Sequence, residues 1–229
     1  GAALARMQQG DIGNGPTEVM VQLAELLVDT IDHADWALFQ KNGTDATTAS
    51  VTIARAATGR RKILVAKGAY HGAVPWCSPS MVGVTAEDRA HLAQFEFNDS
   101  ASLDAAVAAA GDDLAGILLT AFRHDVNRDQ EMPDPAFLRQ ARRHCDQSGA
   151  ALILDDVRAG FRLDVRGSWA QYGVKPDLAA YSKAIANGWP LAAIAGNERM
   201  REGAAKVFVT GSFWYGAAAM AAAVKTIEI

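Results

Sequence analysis

The sequence predicts an α/β protein, a three-layer sandwich of helices around a mostly parallel sheet. Three observations predict it. Runs such as "KILVA" (62–66), "LAGILLTAF" (114–122) and "AALILDD" (150–156) are almost continuously apolar, the pattern of strands buried on both faces. Segments with helical spacing lie between them. The chain has 229 residues, half of them hydrophobic, enough for one large packed domain or two small ones.

The elements follow in order. Thr17–Thr30 ("TEVMVQLAELLVDT") carries apolar residues at helical spacing, with Pro16 placed to start the helix. "WALFQ" (36–40) reads as a short strand. "TTASVTIARAA" (47–57) reads as a helix that ends near Gly59, and "KILVA" as the second strand. Residues 68–83 form a loop that holds Tyr70, His71 and Cys77. "SLDAAVAAA" (102–110) is a short helix, and "LAGILLTAF" the third strand. "DPAFLRQARRHCDQSG" (134–149) is an amphipathic helix stopped by glycine. "AALILDD", "PDLAAYS" (176–182) and "LAAIAG" (191–196) supply three more strands, and a last helix runs from about Tyr215 to Ile227.

Charge and cysteine usage narrow the class. A net charge of −4 with no basic run argues against non-specific nucleic-acid binding. Two cysteines, Cys77 and Cys145, lie far apart and form no CxxC pair, which fits a reduced, cytoplasmic compartment. The longest apolar stretch, "GAAAMAAAV" (216–224), is too short to span a bilayer. No metal-ligand spacing is present.

In open parallel sheets ligands collect at the carboxyl ends of the strands, and four such ends carry polar residues. Asn42-Gly43-Thr44-Asp45 follows the first strand. A glycine and a hydroxyl at a helix start favour an anion such as phosphate, or serve as an ordinary capping turn. Neither GxxxxGK[ST] nor GxGxxG occurs. Tyr70-His71-Gly72 follows the second strand, where an aromatic ring beside glycine suits a planar ligand. Asp155 and Asp156 end "LILDD". Alternation puts them on opposite faces, so one alone can point into a given site. The other reading for each is a cap or a salt bridge, for example with Arg158. Lys183 lies between "PDLAAYS" and the turn "NGWP". Partial burial there would lower its pKa and free a nucleophilic amine, or the side chain would simply reach solvent.

Taken as an ordered set, these residues resemble the class III aminotransferases, the pyridoxal-phosphate enzymes of fold type I, and most of all the glutamate-1-semialdehyde aminomutase branch. "ILDDVRAGFRL", "YGVKPDLAAYSKAIANGWPLAAIAG" and "TGSFWYGAAAMAAAVKTIE" carry the likeness. It implies pyridoxal 5'-phosphate as cofactor and the large, cofactor-binding domain of a transferase over residues 1–229. The family's N-terminal segment and C-terminal small domain are expected to be missing, since the chain starts within the large domain and stops in the helix that leads to the small one. It also implies roles. Lys183 would form the Schiff base and shuttle the proton, and Asp155 would pair with the pyridinium nitrogen. Asn42, Gly43 and Thr44 would bind the phosphate. Tyr70, with His71 beside it, would stack on the ring, and Val157 would pack on the other face. Ser212 stands where the family has a threonine that reaches the phosphate of the neighbouring subunit, so a homodimer with a shared site is implied.

Some positions depart from the family pattern. Asp156 replaces a glutamate, Asn42 a serine and Ser212 a threonine. "LLTAFRHDVNRDQEMPDP" lacks the glutamate-proline after the central strand, which makes His124, Asp125, Asn127 and Arg128 candidates for setting substrate preference. Trp214 is a candidate for narrowing a pocket. The implied activity is transfer of an amino group between an amine or amino acid donor and a keto acceptor. The same residues also serve an aminomutase, and a non-catalytic scaffold that binds the cofactor or dimerises is the reading from another class.

Overall fold

The computed structural model describes residues 1–13, 15–125 and 128–229. Its elements are α1 (Ala2–Met7), α2 (Glu18–Thr30), β1 (Trp36–Gln40), α3 (Gly43–Thr58), β2 (Lys62–Ala66), α4 (Ala86–Arg89), β3 (Leu92–Phe95), α5 (Ser100–Ala110), β4 (Leu114–Thr120), α6 (Pro135–Ser148), β5 (Ala151–Asp155), β6 (Leu178–Tyr181), β7 (Ala192–Gly196), α7 (Glu198–Lys206) and α8 (Ala217–Ile227). Short 3-10 turns occur at Gly111–Asp113, Ala170–Tyr172 and Lys183–Ala186.

The strands form one sheet in the order β1-β7-β6-β5-β4-β2-β3. β7 runs antiparallel to both its neighbours, and the pairs from β6 through β3 are parallel. The sheet is therefore mostly parallel, and its strands separate two apolar layers by alternation. Leu152 and Leu154 of β5, with Ile117 and Leu119 of β4, pack towards Leu27 of α2, Phe137 of α6 and Met220 of α8. Ile153 of β5, with Leu118 of β4 and Val65 of β2, packs towards Ile53 of α3 and Met200 of α7. That is the three-layer arrangement the apolar runs imply. Each fully buried leucine or isoleucine here contributes about 1.5–3 kcal/mol by leaving water.

Alternation also settles where the two aspartates go. Asp155 shares the face of Ile153, towards α3. Asp156 follows Leu154 to the opposite face, where its carboxylate accepts hydrogen bonds from the Ser168 hydroxyl (2.5 Å) and the Ser168 N–H (3.0 Å). Asp156 thus binds serine rather than Arg158. Its full burial pushes its pKa up to about 6, opposed by the two Ser168 bonds.

Several elements differ from expectation. α3 starts at Gly43, four residues before Thr47, because Asn42 is its N-cap: the Asn42 side chain accepts from the Asp45 N–H at 3.0 Å. Gly59 closes α3 in the left-handed region, as expected. Thr17 caps α2, so Pro16 lies just before the cap rather than in the first turn. α1, α4, β3 and α7 have no counterpart in the expected elements. β3 is a four-residue edge strand with only Phe95 buried, and α7 buries only Met200 and Gly203, so neither leaves a clear apolar pattern.

Candidate active site

An open cavity of about 1120 Å³ lies at the carboxyl end of the sheet, on the α3 face. It is bounded by the start of α3, the loop after β2, the segment after β4, the turn after β5 and Lys183 after β6. Asn42, Gly43, Thr44, Tyr70, His71, Asp155, Val157 and Lys183 all line it. Residues separated by 141 positions in the chain therefore meet in one concavity.

The start of α3 forms one wall. The first N–H groups of any α-helix lack intrahelical acceptors, so those of Gly43 and Thr44 are open to an anion. Asn42 turns its own side chain back on Asp45, from which it accepts at 3.0 Å and to which it donates at 2.7 Å. Its role here is thus to cap α3 and shape the wall. Gly43 is required by packing: a Cβ there would lie 2.6 Å from Val157 Cγ1. Val157 is held against the helix start in this way while still facing the cavity.

α3 also fastens the loop that carries Tyr70 and His71. The Thr47 hydroxyl donates to the His71 carbonyl at 2.6 Å, and the Trp76 indole N–H donates to Thr48 Oγ1 at 3.0 Å. Gly72 is needed for two reasons. Its φ of +132° suits glycine, and a Cβ would lie 2.7 Å from Thr44 Oγ1. Tyr70 is half exposed and presents its ring to the cavity. His71 is almost fully buried, and its Nδ1 lies 2.8 Å from Asp155 Oδ2. An ionised carboxylate only accepts, so Nδ1–H is the donor. His71 thus acts on the acid that faces the cavity. Its Nε2 is buried with no partner among the described residues. Asp155 Oδ1 accepts from the Val157 N–H at 3.2 Å.

Lys183 begins the turn after β6 with φ of +46°, a left-handed conformation that a side-chain-bearing residue seldom adopts. Partial burial lowers its pKa. Arg158 and Arg162 lower it further by charge, while Asp155 opposes them. Burial pushes the Cys77 thiol up to about 11 and the Cys145 thiol up to about 12, so neither supplies a nucleophile near neutral pH.

Other expected residues fall differently. His124, Asp125 and Arg128 line the cavity, whereas Asn127 lies outside the described residues. Ser212 is exposed and does not line this cavity. Trp214 does not line it either: its indole folds back so closely over Gly211 that a Cβ there would lie 2.3 Å from Nε1. It therefore does not narrow this cavity. Sequence reasoning missed Thr47, which ties down the His71 loop, and the cavity-facing roles of Arg158 and Arg162. "GFR" (160–162) was available as a signal, but only the fold shows where its arginine goes.

Residues 4–229 match the family described as aminotransferase class-III. Aminopentol aminotransferase of Sphingopyxis macrogoltabida is 49% identical over all of this chain and 54% of its own length. Glutamate-1-semialdehyde 2,1-aminomutase of Neisseria gonorrhoeae is 32% identical over 93% of this chain and 53% of its own. A solved structure of the Sphingopyxis sp. MTA144 FumI protein, in its PLP internal aldimine form, superposes with a TM-score of 0.98 at 49% identity, covering 100% of this chain and 55% of that one. An omega-transaminase from Sphaerobacter thermophilus superposes with a TM-score of 0.91 at 25% identity, covering 99% of this chain and 57% of that one. The chain spans about half the length of the curated relatives it matches. With its whole described length matched, and with the expected lysine and aspartate on one cavity, the chain belongs to the class III aminotransferase family.

Proposed function

We propose that this chain is the cofactor-binding part of a pyridoxal-phosphate-dependent aminotransferase, which moves an amino group from an amine or amino acid donor to a keto acceptor. The observation that carries the reading is that Lys183 and Asp155 line one cavity together with the start of α3. A scaffold would need neither the amine nor the acid. The cavity residues fit the cofactor on chemical grounds. A helix start suits its phosphate, Tyr70 and Val157 offer ring and aliphatic surface to a planar heterocycle, and a buried carboxylate suits a cationic ring N–H.

When bound, the cofactor supplies an electron sink for the donor's α-carbon. The protein's own part is positioning and proton transfer. Asp155 is fixed by the His71 Nδ1–H and the Val157 N–H, so its remaining lone pairs point to the cavity. Lys183 Nζ would hold the cofactor and would move the proton at the donor's α-carbon. Its lowered pKa favours the neutral amine that this task needs. The backbone N–H groups of Gly43 and Thr44 would hold the phosphate.

The aminomutase reading has one specific support, the 32% identity to glutamate-1-semialdehyde aminomutase. Acceptor dependence separates the two. An aminotransferase turns over only when an external keto acceptor is added, and a mutase needs none. Turnover without acceptor would overturn the proposal, and Lys183→Ala is the control for both. We also propose a homodimer in which Ser212 serves the neighbouring subunit. The exposed Phe208 and Phe213 on either side of it support this. No described helix is long and apolar enough to cross a membrane, and the two buried free thiols support a cytoplasmic location.

A further inference from the structure

A smaller cavity, of about 40 Å³, lies on the face of the sheet that carries Leu154, the face away from Asp155. Three stretches of chain wall it: Asp32 and His33 after α2, residues 166–170, and residues 173–176 ahead of β6. Three aromatic side chains in or beside it hold a buried polar atom with no partner among the described residues. These atoms are His33 Nε2, Trp169 Nε1 and Tyr181 Oη. His33 is 9% exposed, and Trp169 and Tyr181 are each 1% exposed, so bulk water does not serve them. Buried polar groups are nearly always hydrogen-bonded. Three such atoms, brought from three parts of the chain to one small space, point to a shared partner.

Gly167 is where they meet. It lines the cavity with a left-handed φ of +110°, and a Cβ there would lie 3.2 Å from Tyr181 Oη and 3.8 Å from His33 Cε1. The glycine thus keeps open the space between the hydroxyl and the imidazole. The walls are fixed. The Tyr181 ring is held by Phe161, with centroids 5.4 Å apart, and by Gly160, where a Cβ would lie 2.5 Å from Tyr181 Cδ1. Ser168, between Gly167 and Trp169, is bonded to Asp156 through both its N–H and its hydroxyl. The nearby cations are engaged elsewhere: Arg166 is bonded to Asp164 at 2.9 and 3.2 Å, and Lys175 Nζ donates to the Asp32 carbonyl at 2.8 Å.

The three unpartnered groups are uncharged at neutral pH. Burial pushes the His33 pKa down to about 4, and Lys175 lowers it too, while Asp177 and Asp35 oppose them. Burial, with Asp156 nearby, raises the Tyr181 pKa well above its ordinary value, so the hydroxyl keeps its proton. The indole N–H can only donate, whereas a hydroxyl and a neutral imidazole supply acceptors as well. Water needs two to four such partners and a space of about this size. We infer that the cavity is a built site for internal water, in which about one to three molecules bridge His33 Nε2, Trp169 Nε1 and Tyr181 Oη. They tie the turn after α2 and residues 166–170 to β6, the strand that leads into Lys183. The site lies outside the cofactor cavity and does not depend on the aminotransferase reading.

The test uses the full chain in two measurements. The first is a crystal structure at a resolution that shows ordered water. Density is expected about 2.7–3.2 Å from His33 Nε2 and from at least one of the other two atoms. The second is relaxation dispersion of the solvent deuterons, which reads the residence time of buried water. It is taken as the difference between wild type and variant, so that waters elsewhere cancel. Tyr181→Phe and Trp169→Phe each keep an aromatic ring and delete one polar contact. Each is expected to shorten the residence time about 3–10-fold, the worth of one neutral hydrogen bond. His33→Phe fills the space and is expected to abolish the contribution; if that variant does not fold, the two conservative variants decide. Residence times unchanged in both conservative variants overturn the site. So does a cavity without density, or a crystal structure in which His33 Nε2 and Trp169 Nε1 are bonded to protein groups.

Discussion

The sheet holds a buried carboxylate at each end, and the two are satisfied to different degrees. Asp177 lies just before β6, at the amino end. It accepts from Arg142 Nη1 at 2.9 Å, from the Leu152 N–H at 2.7 Å and from Asn197 Nδ2 at 2.8 Å, with Arg199 Nε at 3.6 Å. Asp155 ends β5 at the carboxyl end, similarly hidden from water, and among the described residues accepts from only one imidazole and one backbone N–H. A carboxylate has about four lone-pair sites. Asp177 uses them on the protein and binds the sheet to α6 and α7. Asp155 keeps some for whatever enters the cavity. Burial alone therefore does not mark a functional acid. Incomplete satisfaction beside open space does.

That contrast can be broken by substitution, starting where the effect is largest. On the proposed function, Lys183→Ala is expected to reduce amino transfer at least about 1000-fold, since it would remove both the attachment point and the proton carrier. Thermal unfolding is expected to change little, because the side chain has few packing contacts to lose. Asp177→Ala is expected to do the reverse. Arg199 loses its carboxylate and Arg142 keeps only the exposed Asp146, so stability should fall by about 3–5 kcal/mol in denaturant titration, with turnover per folded molecule unchanged. Asp155→Asn is expected to cost about 100-fold or more in transfer through lost electrostatic complementarity, while stability changes by only about 1 kcal/mol. Equal losses of stability in the two aspartate variants would remove the distinction between the ends.

Asp156 sharpens the comparison from the opposite face. Its folded pKa of about 6 lies above the ordinary aspartate value of 3.8. The folded state thus binds a proton more readily than the unfolded chain between those values, and stability rises as pH falls from about 6 to about 4. A shift of that size corresponds to roughly 3 kcal/mol held against the fold at neutral pH. Asp156→Asn keeps an acceptor for the Ser168 N–H and a donor for its hydroxyl. At pH 7 it is expected to unfold at a denaturant concentration equal to or above that of wild type, and to lose the slope between pH 4 and 6. A lower midpoint with the slope intact would show that the charge is not desolvated.

Much of the fold is legible in the sequence because its strands are buried on both faces. β1 and β2 match the apolar runs residue for residue. The hidden parts are those with little apolar signal, the short helices α1 and α4, edge strand β3 and polar helix α7. The site divides in the same way. Opposite faces for Asp155 and Asp156 follow from the period of a strand, and a lowered Lys183 pKa follows from partial burial. The Asp155 to His71 bond does not follow, since 84 positions separate the partners. Nor does the Arg158 to His124 bond, because it depends on where two turns meet across the end of the sheet. Asn42 shows the limit of local chemistry. A helix start with asparagine and glycine suits both a cap and a phosphate, and the observed side chain is committed to the cap.

The central claim is that one amine, among seven lysines, carries the cofactor. Incubating the purified chain with pyridoxal phosphate, reducing with borohydride and mapping the stable adduct by peptide mass tests it directly. The expected result is a visible absorbance that reduction abolishes and a label confined to the peptide containing Lys183. A label spread over Lys41, Lys67 and the other lysines, or a labelled Lys183→Ala variant, would contradict it.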